Sequence, residues 1–263
     1  MLSWENPDDR VAIVQMNAEL RHAQLELLSA QCATNQLRLR YSTAEIASYG
    51  QQDVLRKAID AAASLNDFFA SIKKQMAEPG ALQAAAAGLS PQQIQRGTDL
   101  VLSYLQGQRD CYFASAVPLS GQQKTLLRPF FSPGILDRIK VVELKGARVE
   151  NPAFYTEAEC AGLTNLPPVR HMASLTFIDV VVFNDRMTER ALFHGLVHAV
   201  QFQILGPERY ADLFVRGFLR AGSHVTVPIE THAFALESRF AEAREGSFSV
   251  EEQVRLWIRE GRY

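Results

Sequence analysis

The feature that most constrains this chain is a β-rich run that hands over directly to a helix bounded at both ends. Leu175-Thr-Phe-Ile-Asp-Val-Val-Val-Phe183 is dense in β-branched and aromatic residues, and Asn184-Asp185 turns the chain out of it, so it is predicted to be strand. Thr188 then supplies an N-cap, and Leu205-Gly206-Pro207 a glycine stop with a proline behind it, which predicts a helix over about 189–205. Arg138-Ile-Lys-Val-Val-Glu-Leu144 has the same β-branched character and is predicted to be a second strand of one small sheet.

The remainder reads as helix. Asn6-Pro7-Asp8-Asp9 starts a helix in which Val11, Val14, Ala18, Leu25, Leu28 and Cys32 keep mostly a 3,4 spacing, and Leu55, Ala58, Ala62, Leu65, Phe69, Ile72 and Met76 step regularly through heptads. These two are predicted to pair as a long hairpin over 1–80, packed within the molecule or serving as an oligomerisation arm. The link between them includes Leu37-Arg-Leu-Arg-Tyr41, which fits a short strand or a frayed helix end equally. Glu78-Pro79-Gly80 breaks the second helix, and the alanine-rich segment after it reads as the start of a helical connector over 81–130. Within that connector Ser90-Pro91-Gln92-Gln93 is a capping box that opens a helix, with Gly107 predicted to end it. Residues 131–263 form the third region, with further helices over 208–220, from Pro228 onward, and after a capping box at Ser249-Val-Glu-Glu252. The predicted class is α+β, mainly helical, with a small β-sheet; no solenoid repeat is present.

Composition removes several functional classes. The 27 Lys and Arg against 29 Asp and Glu give a net charge of -2 with no long single-sign block, so neither nucleic acid nor an anionic membrane is an expected partner. The start Met1-Leu-Ser-Trp-Glu-Asn-Pro has no basic-then-apolar leader, and no run has the length of a membrane span; the expectation is a soluble, cytoplasmic protein. Cys32, Cys111 and Cys160 are odd in number and far apart, which predicts reduced structural thiols and no cysteine metal motif.

The chemistry-bearing residues lie in the bounded helix and the one that Pro228 opens. In Ala191-Leu-Phe-His194-Gly195-Leu-Val-His198-Ala-Val-Gln201 the two histidines are four apart, which puts both imidazoles on one face about 6 Å apart. Val227-Pro228-Ile-Glu230-Thr-His-Ala233 can deliver Glu230 as a third ligand. Two neutral imidazoles and a carboxylate suit zinc and leave one coordination position open for chemistry; the plainer alternative is a buried histidine pair held by hydrogen bonds with no metal. His224, in the loop before Glu230, is the candidate catalytic residue, as an imidazole that could lean over the metal and polarise a bound ligand. Glu237 lies two turns from Glu230, about 10 Å along the helix, and reads as an outer-shell or surface carboxylate. His232 points away from Glu230 and reads as structural; His171 and His22 have no partner pattern. No phosphate-binding glycine loop, G-x-S-x-G elbow or Cys/His dyad occurs.

A strand, H-x-x-x-H-x-x-Q on a helix, a second helix over Tyr210 and Leu219, and P-x-E-x-x-A in that order resemble the gluzincins, zinc metallopeptidases related to thermolysin. The resemblance covers about residues 135–245 and implies zinc ligation by His194, His198 and Glu230, with Ala233 as the small residue that lets the ligand helices approach closely. The departure is Gly195, which stands where the family keeps its general base, a group typically worth ~10²–10⁴ in rate. A glycine inside a helix costs about 1 kcal/mol against alanine, so its presence reads as drift after loss of catalysis or as a need for space beside the metal. The expectation is a metal-dependent enzyme on a metallopeptidase-like scaffold, acting on a small-molecule or peptide substrate but not as a standard peptidase. Two alternatives stand beside it. The same two histidines and carboxylate describe the triad of a non-haem iron oxygenase, with dioxygen in the room left by the glutamate. A catalytically inactive pseudo-peptidase would instead be a binding module, using the N-terminal helices for a protein partner or a homodimer.

Overall fold

The computed structural model of the chain describes residues 88–263, apart from 161, 164, 165, 168, 222, 223, 225, 226 and 243–246. The chain divides between Pro79 and Gly80 into two units, and the described residues belong to the second. The two heptad-spaced helices, the segment 37–41, Cys32, His22 and residues 81–87 lie outside the described residues.

What is described is a mainly helical α+β fold around a four-stranded mixed sheet. Helix α1, Pro91–Phe113, opens on the full reciprocal capping box: Ser90 Oγ accepts from the Gln93 amide at 3.2 Å, and Gln93 Oε1 accepts from the Ser90 amide at 2.8 Å. Gly107 does not end it. The helix runs two further turns because Tyr104, Tyr112 and Phe113 pack on the sheet, and that tertiary burial outweighs the ~1 kcal/mol helix penalty of glycine. Gly107 is exposed, with open space where a Cβ would stand. Gly107→Ala is therefore expected to raise stability by about 0.5–1 kcal/mol in denaturant titrations; a loss would show that the helix needs the glycine's backbone freedom.

The sheet is assembled from short strands. After α1 come β1 (Val117–Pro118), α2 (Gly121–Leu127), α3 (Pro133–Arg138), β2 (Lys140–Glu143), α4 (Tyr155–Cys160), a single 3-10 turn (Val169–His171), β3 (Ser174–Phe177) and β4 (Val180–Phe183). The strand order is β1-β2-β4-β3. Only β2 and β4 run parallel, with Lys140 opposite Val180 and Glu143 opposite Phe183. The run predicted as one strand is thus a hairpin, with Phe177 opposite Val180 and the chain reversing at Ile178-Asp179. Asp179 is a common turn former, but Ile178 is not. Ile178 takes a positive φ of 61°, a conformation a β-branched side chain adopts only when its surroundings impose it. Those surroundings are Arg109, whose Nε and Nη2 reach both carboxylate oxygens of Asp179 at 2.8 and 3.0 Å, and the apolar cluster around Phe202 and Phe218 against which Ile178 packs.

Strand β4 is buried along its whole length because both faces of the sheet are covered. Val181 and Phe183 face the cluster that includes Phe193, Leu196 and Val200, whereas Val180 and Val182 face Tyr104, Tyr112 and Phe113 of α1. At its end Asn184 turns the chain with its side chain: Oδ1 accepts from the Val149 amide at 2.7 Å, and Nδ2 donates to the Val169 and Met172 carbonyls at 3.1 and 2.8 Å.

Helix α5, Glu189–Leu205, then covers the sheet. Thr188 caps it by accepting from the Ala191 amide at 3.1 Å, and Gly206, with φ 81°, ends it, both at the positions the sequence marks. Helices α6 (Pro207–Ala221), α7 (Pro228–Glu242) and α8 (Val250–Arg259) follow. Ser249 Oγ accepts from the Glu252 amide, while the neighbouring Glu251 reaches across to the Ser132 amide at 2.9 Å and ties α8 to the start of α3. Among the described residues no helix is long and apolar enough to cross a membrane. Cys111 and Cys160 are free and exposed, so the two described cysteines are surface thiols.

Candidate metal centre

Helix α5 lies on the sheet through Phe193, Leu196, Val197 and Val200, and its 3.6-residue period leaves His194 and His198 on the flank facing α7. Ala233, fully buried in the same cluster, has no bulk to hold α7 away, and Glu230 on its first turn meets both imidazoles. The contacts show the two helices running antiparallel: ascending α5 from Arg190 through His194 to His198 means descending α7 from Glu237 to Glu230.

The sequence-predicted ligands converge. His194 Nε2 and His198 Nε2 are 3.0 Å apart, and Glu230 Oε2 lies 3.6 Å from the first and 3.4 Å from the second. All three ligand atoms fall within 4.8 Å of one another, a grouping that could hold a metal ion.

Each imidazole is aimed by a partner on its other nitrogen. His194 Nδ1 donates to Glu237 Oε2 at 3.0 Å, and Glu237 is held in turn by Arg190 at 2.7–2.8 Å. His198 Nδ1 lies 2.8 Å from Gln201 Oε1 and 3.2 Å from the Tyr210 hydroxyl. The Gln201 orientation is set independently, because its Nε2 donates to the Ile229 carbonyl at 3.0 Å. Gln201 Oε1 must then accept, His198 Nδ1 carries the proton, and the Nε2 lone pair faces the cluster. An outer shell that sets tautomer and ring direction is the usual companion of histidine metal ligands. Glu237, read from the sequence as an outer-shell or surface carboxylate, is the former, the partner of the first histidine. Its two-turn distance from Glu230 matches the two turns from Arg190 to His198 on the opposing helix, with His194 between them touching both carboxylates.

Electrostatics follow from this packing. Burial alone would lower the His194 pKa, but hydrogen bonds and attraction from Glu230 and Glu237 overrule it and hold the ring up at about 9. Burial pushes the Glu230 pKa up, and the two histidines more than reverse this, so the carboxylate stays ionised well below its ordinary range. Glu237 is likewise held low against its burial by His194 and Arg190. Two carboxylates against one guanidinium leave the cluster negative when the imidazoles are neutral, which favours a cation. Burial, reinforced by Glu230 and Tyr263, raises the Tyr210 hydroxyl well above its ordinary pKa, so it stays protonated.

His224, the candidate catalytic residue, is buried within electrostatic reach of Glu230 but is not one of the three converging groups. Burial lowers its pKa and Glu230 opposes that; its Nδ1 has no hydrogen-bond partner among the described residues. His232 is structural, as expected. Its ring stacks on Trp257 with centroids 3.8 Å apart, and its Nδ1 meets the Tyr263 hydroxyl at 2.7 Å. Gln201 Nε2 also reaches that hydroxyl, at 3.5 Å.

Gly195 has an explanation that neither sequence reading contains. A Cβ built there would stand 2.6 Å from Val181 Cγ1 and 3.2 Å from Thr176 Oγ1, and Thr176 Oγ1 donates to the Gly195 carbonyl at 3.0 Å. The glycine faces the sheet, where β3 and β4 press against the helix backbone. The space beside Gly195 is occupied by protein and is not open room next to the ligands.

No protein-family model, curated protein or solved structure is significantly similar to this chain.

Proposed function

We propose that this domain binds one divalent transition metal, zinc in the first instance, through His194 Nε2, His198 Nε2 and Glu230, on a gluzincin-like scaffold that does not carry out standard peptide hydrolysis. The observation that carries this is the convergence of the three ligand atoms with both Nδ1 atoms already committed elsewhere. The spacing fits a first-row transition metal: neighbouring ligand atoms are about 3.3 Å apart in a tetrahedral centre with ~2.05 Å bonds and about 3.0 Å in an octahedral one with ~2.1 Å bonds, and the three separations, 3.0, 3.4 and 3.6 Å, span both. Zinc is preferred to iron because the space beside Gly195, which the oxygenase alternative invokes for dioxygen, is filled by Val181 and Thr176. A bound zinc supplies Lewis acidity toward an oxygen ligand. The chain's own residues do the rest: Glu237 and Gln201 hold the imidazoles, Tyr210 closes the inner side, and His224 is the neutral base in reach of Glu230 for moving a proton.

The test is elemental analysis of full-length protein purified without added metal, which is expected to give about one equivalent of zinc. Glu237→Gln should weaken zinc binding by ~10–100-fold, the usual cost of losing an outer-shell partner. Protein without metal, with unchanged melting in chelator, overturns the reading in favour of a hydrogen-bonded histidine pair. Stoichiometric iron with oxygen uptake overturns it in favour of the oxygenase.

A further inference from the structure

The metal cluster is closed on its inner sides. The Nδ1 atom of His194 is taken by Glu237 and that of His198 by Gln201 and Tyr210, and the Gly195 side is filled by Val181 and Thr176. What reaches solvent is the edge formed by the side chains of His194, 14% exposed, and Glu230, 17% exposed. Phe234 stands at that edge. It lies one turn after Glu230 on α7, its ring centroid is 4.6 Å from that of His194 with the planes tilted by 53°, and it is 44% exposed. Among the described residues Val117, on strand β1, is the only other exposed large hydrophobic. Phe234 rests against His194, and the part of its ring left in water is an apolar surface at the open edge of the site that a substrate with an apolar group would cover.

We propose that Phe234 is a ligand-contacting residue, and that the site takes molecules pairing a metal-seeking oxygen donor with an apolar or aromatic group a few atoms away. This deepens the metal-centre reading and rests on it. Covering the exposed part of one phenyl ring corresponds to about tenfold in affinity.

The experiment titrates zinc-loaded full-length protein calorimetrically with acetohydroxamate and benzohydroxamate, two probes that share a metal-binding head and differ in the phenyl group. Wild type is expected to prefer benzohydroxamate by roughly tenfold. Phe234→Ala should bring the ratio close to one while zinc content and acetohydroxamate affinity stay as in wild type, and Phe234→Leu should keep part of the preference. An unchanged ratio in Phe234→Ala overturns the inference and leaves the metal centre standing. Loss of zinc from Phe234→Ala also overturns it, because the ring then supports His194 instead of a ligand. Wild-type protein that holds no zinc and binds neither probe defeats the metal-centre reading itself, and the same samples report it.

Discussion

His198→Ala is expected to leave the purified protein without metal and to abolish its response to chelator. The substitution removes one of three converging ligand atoms and also strands the Gln201 oxygen and the Tyr210 hydroxyl, which share His198 Nδ1. Loss of a ligand should weaken zinc binding by more than the ~100-fold upper range for an outer-shell partner. Binding to the folded state alone stabilises it by about 4 kcal/mol when the free ion is ~1,000-fold above its dissociation constant. At about 2–4 °C per kcal/mol for a domain of this size, wild-type melting should fall by ~10 °C in chelator, and His198→Ala should melt low in either condition. Glu230→Gln provides the control that keeps volume and fold: it should lose metal equally while removing no buried bulk. If either variant still carried one equivalent of zinc, these residues would not be the ligands.

Gly195→Glu is expected to destabilise the domain by about 3 kcal/mol or more and to confer no cleavage of casein. The substitution completes the H-E-x-x-H pattern of the gluzincins that this helix resembles, but the new side chain points into Val181. Overpacking of this kind costs ~1–3 kcal/mol, and an unpaired carboxylate against a wholly apolar strand adds to it. Even Gly195→Ala should lose about 1 kcal/mol net, since its helix-propensity gain is smaller than the clash. Combining it with Val181→Ala, which removes the methyl group 2.6 Å from the built Cβ, should recover part of that loss, and a double-mutant cycle measures the coupling. A Gly195→Glu protein as stable as wild type that cleaved casein would show that the space is open after all.

The offset between α5 and α7 explains why the sequence could place Glu237 only as an outer-shell or surface carboxylate, without naming its partner. Read along one helix, it is two turns from Glu230 and belongs to no local pattern. It reaches His194 only because α7 runs against α5, so that moving back one turn on one helix meets a residue further on along the other. Gln201 is intermediate: the H-x-x-Q spacing puts it on the face of His198, but that its amide is turned by the Ile229 carbonyl is a contact between helices. Ile178-Asp179 fails for a related reason. Asp179 is the one turn former in Phe-Ile-Asp-Val, a weak signal inside a β-branched run, and Arg109, on α1, holds the turn by pairing with Asp179 across a long sequence separation. Gly107 shows the converse, a local stop signal overridden by packing.

By itself the sequence determined what depends on neighbours within a turn or two: the limits of α5 from Thr188 and Gly206, the cap at Ser90, the opening of α7 at Pro228, and the pairing of His194 with His198 on one face. These rest on backbone hydrogen bonds and helical period, which a few residues settle. Only the tertiary structure decided that Glu230 meets those histidines, that Glu237 and Gln201 aim them, that Phe234 borders the result, and that Gly195 is glycine because a strand lies against it. Such outcomes are set by how closely helices and sheet approach, a property of the whole packed core that no single segment contains.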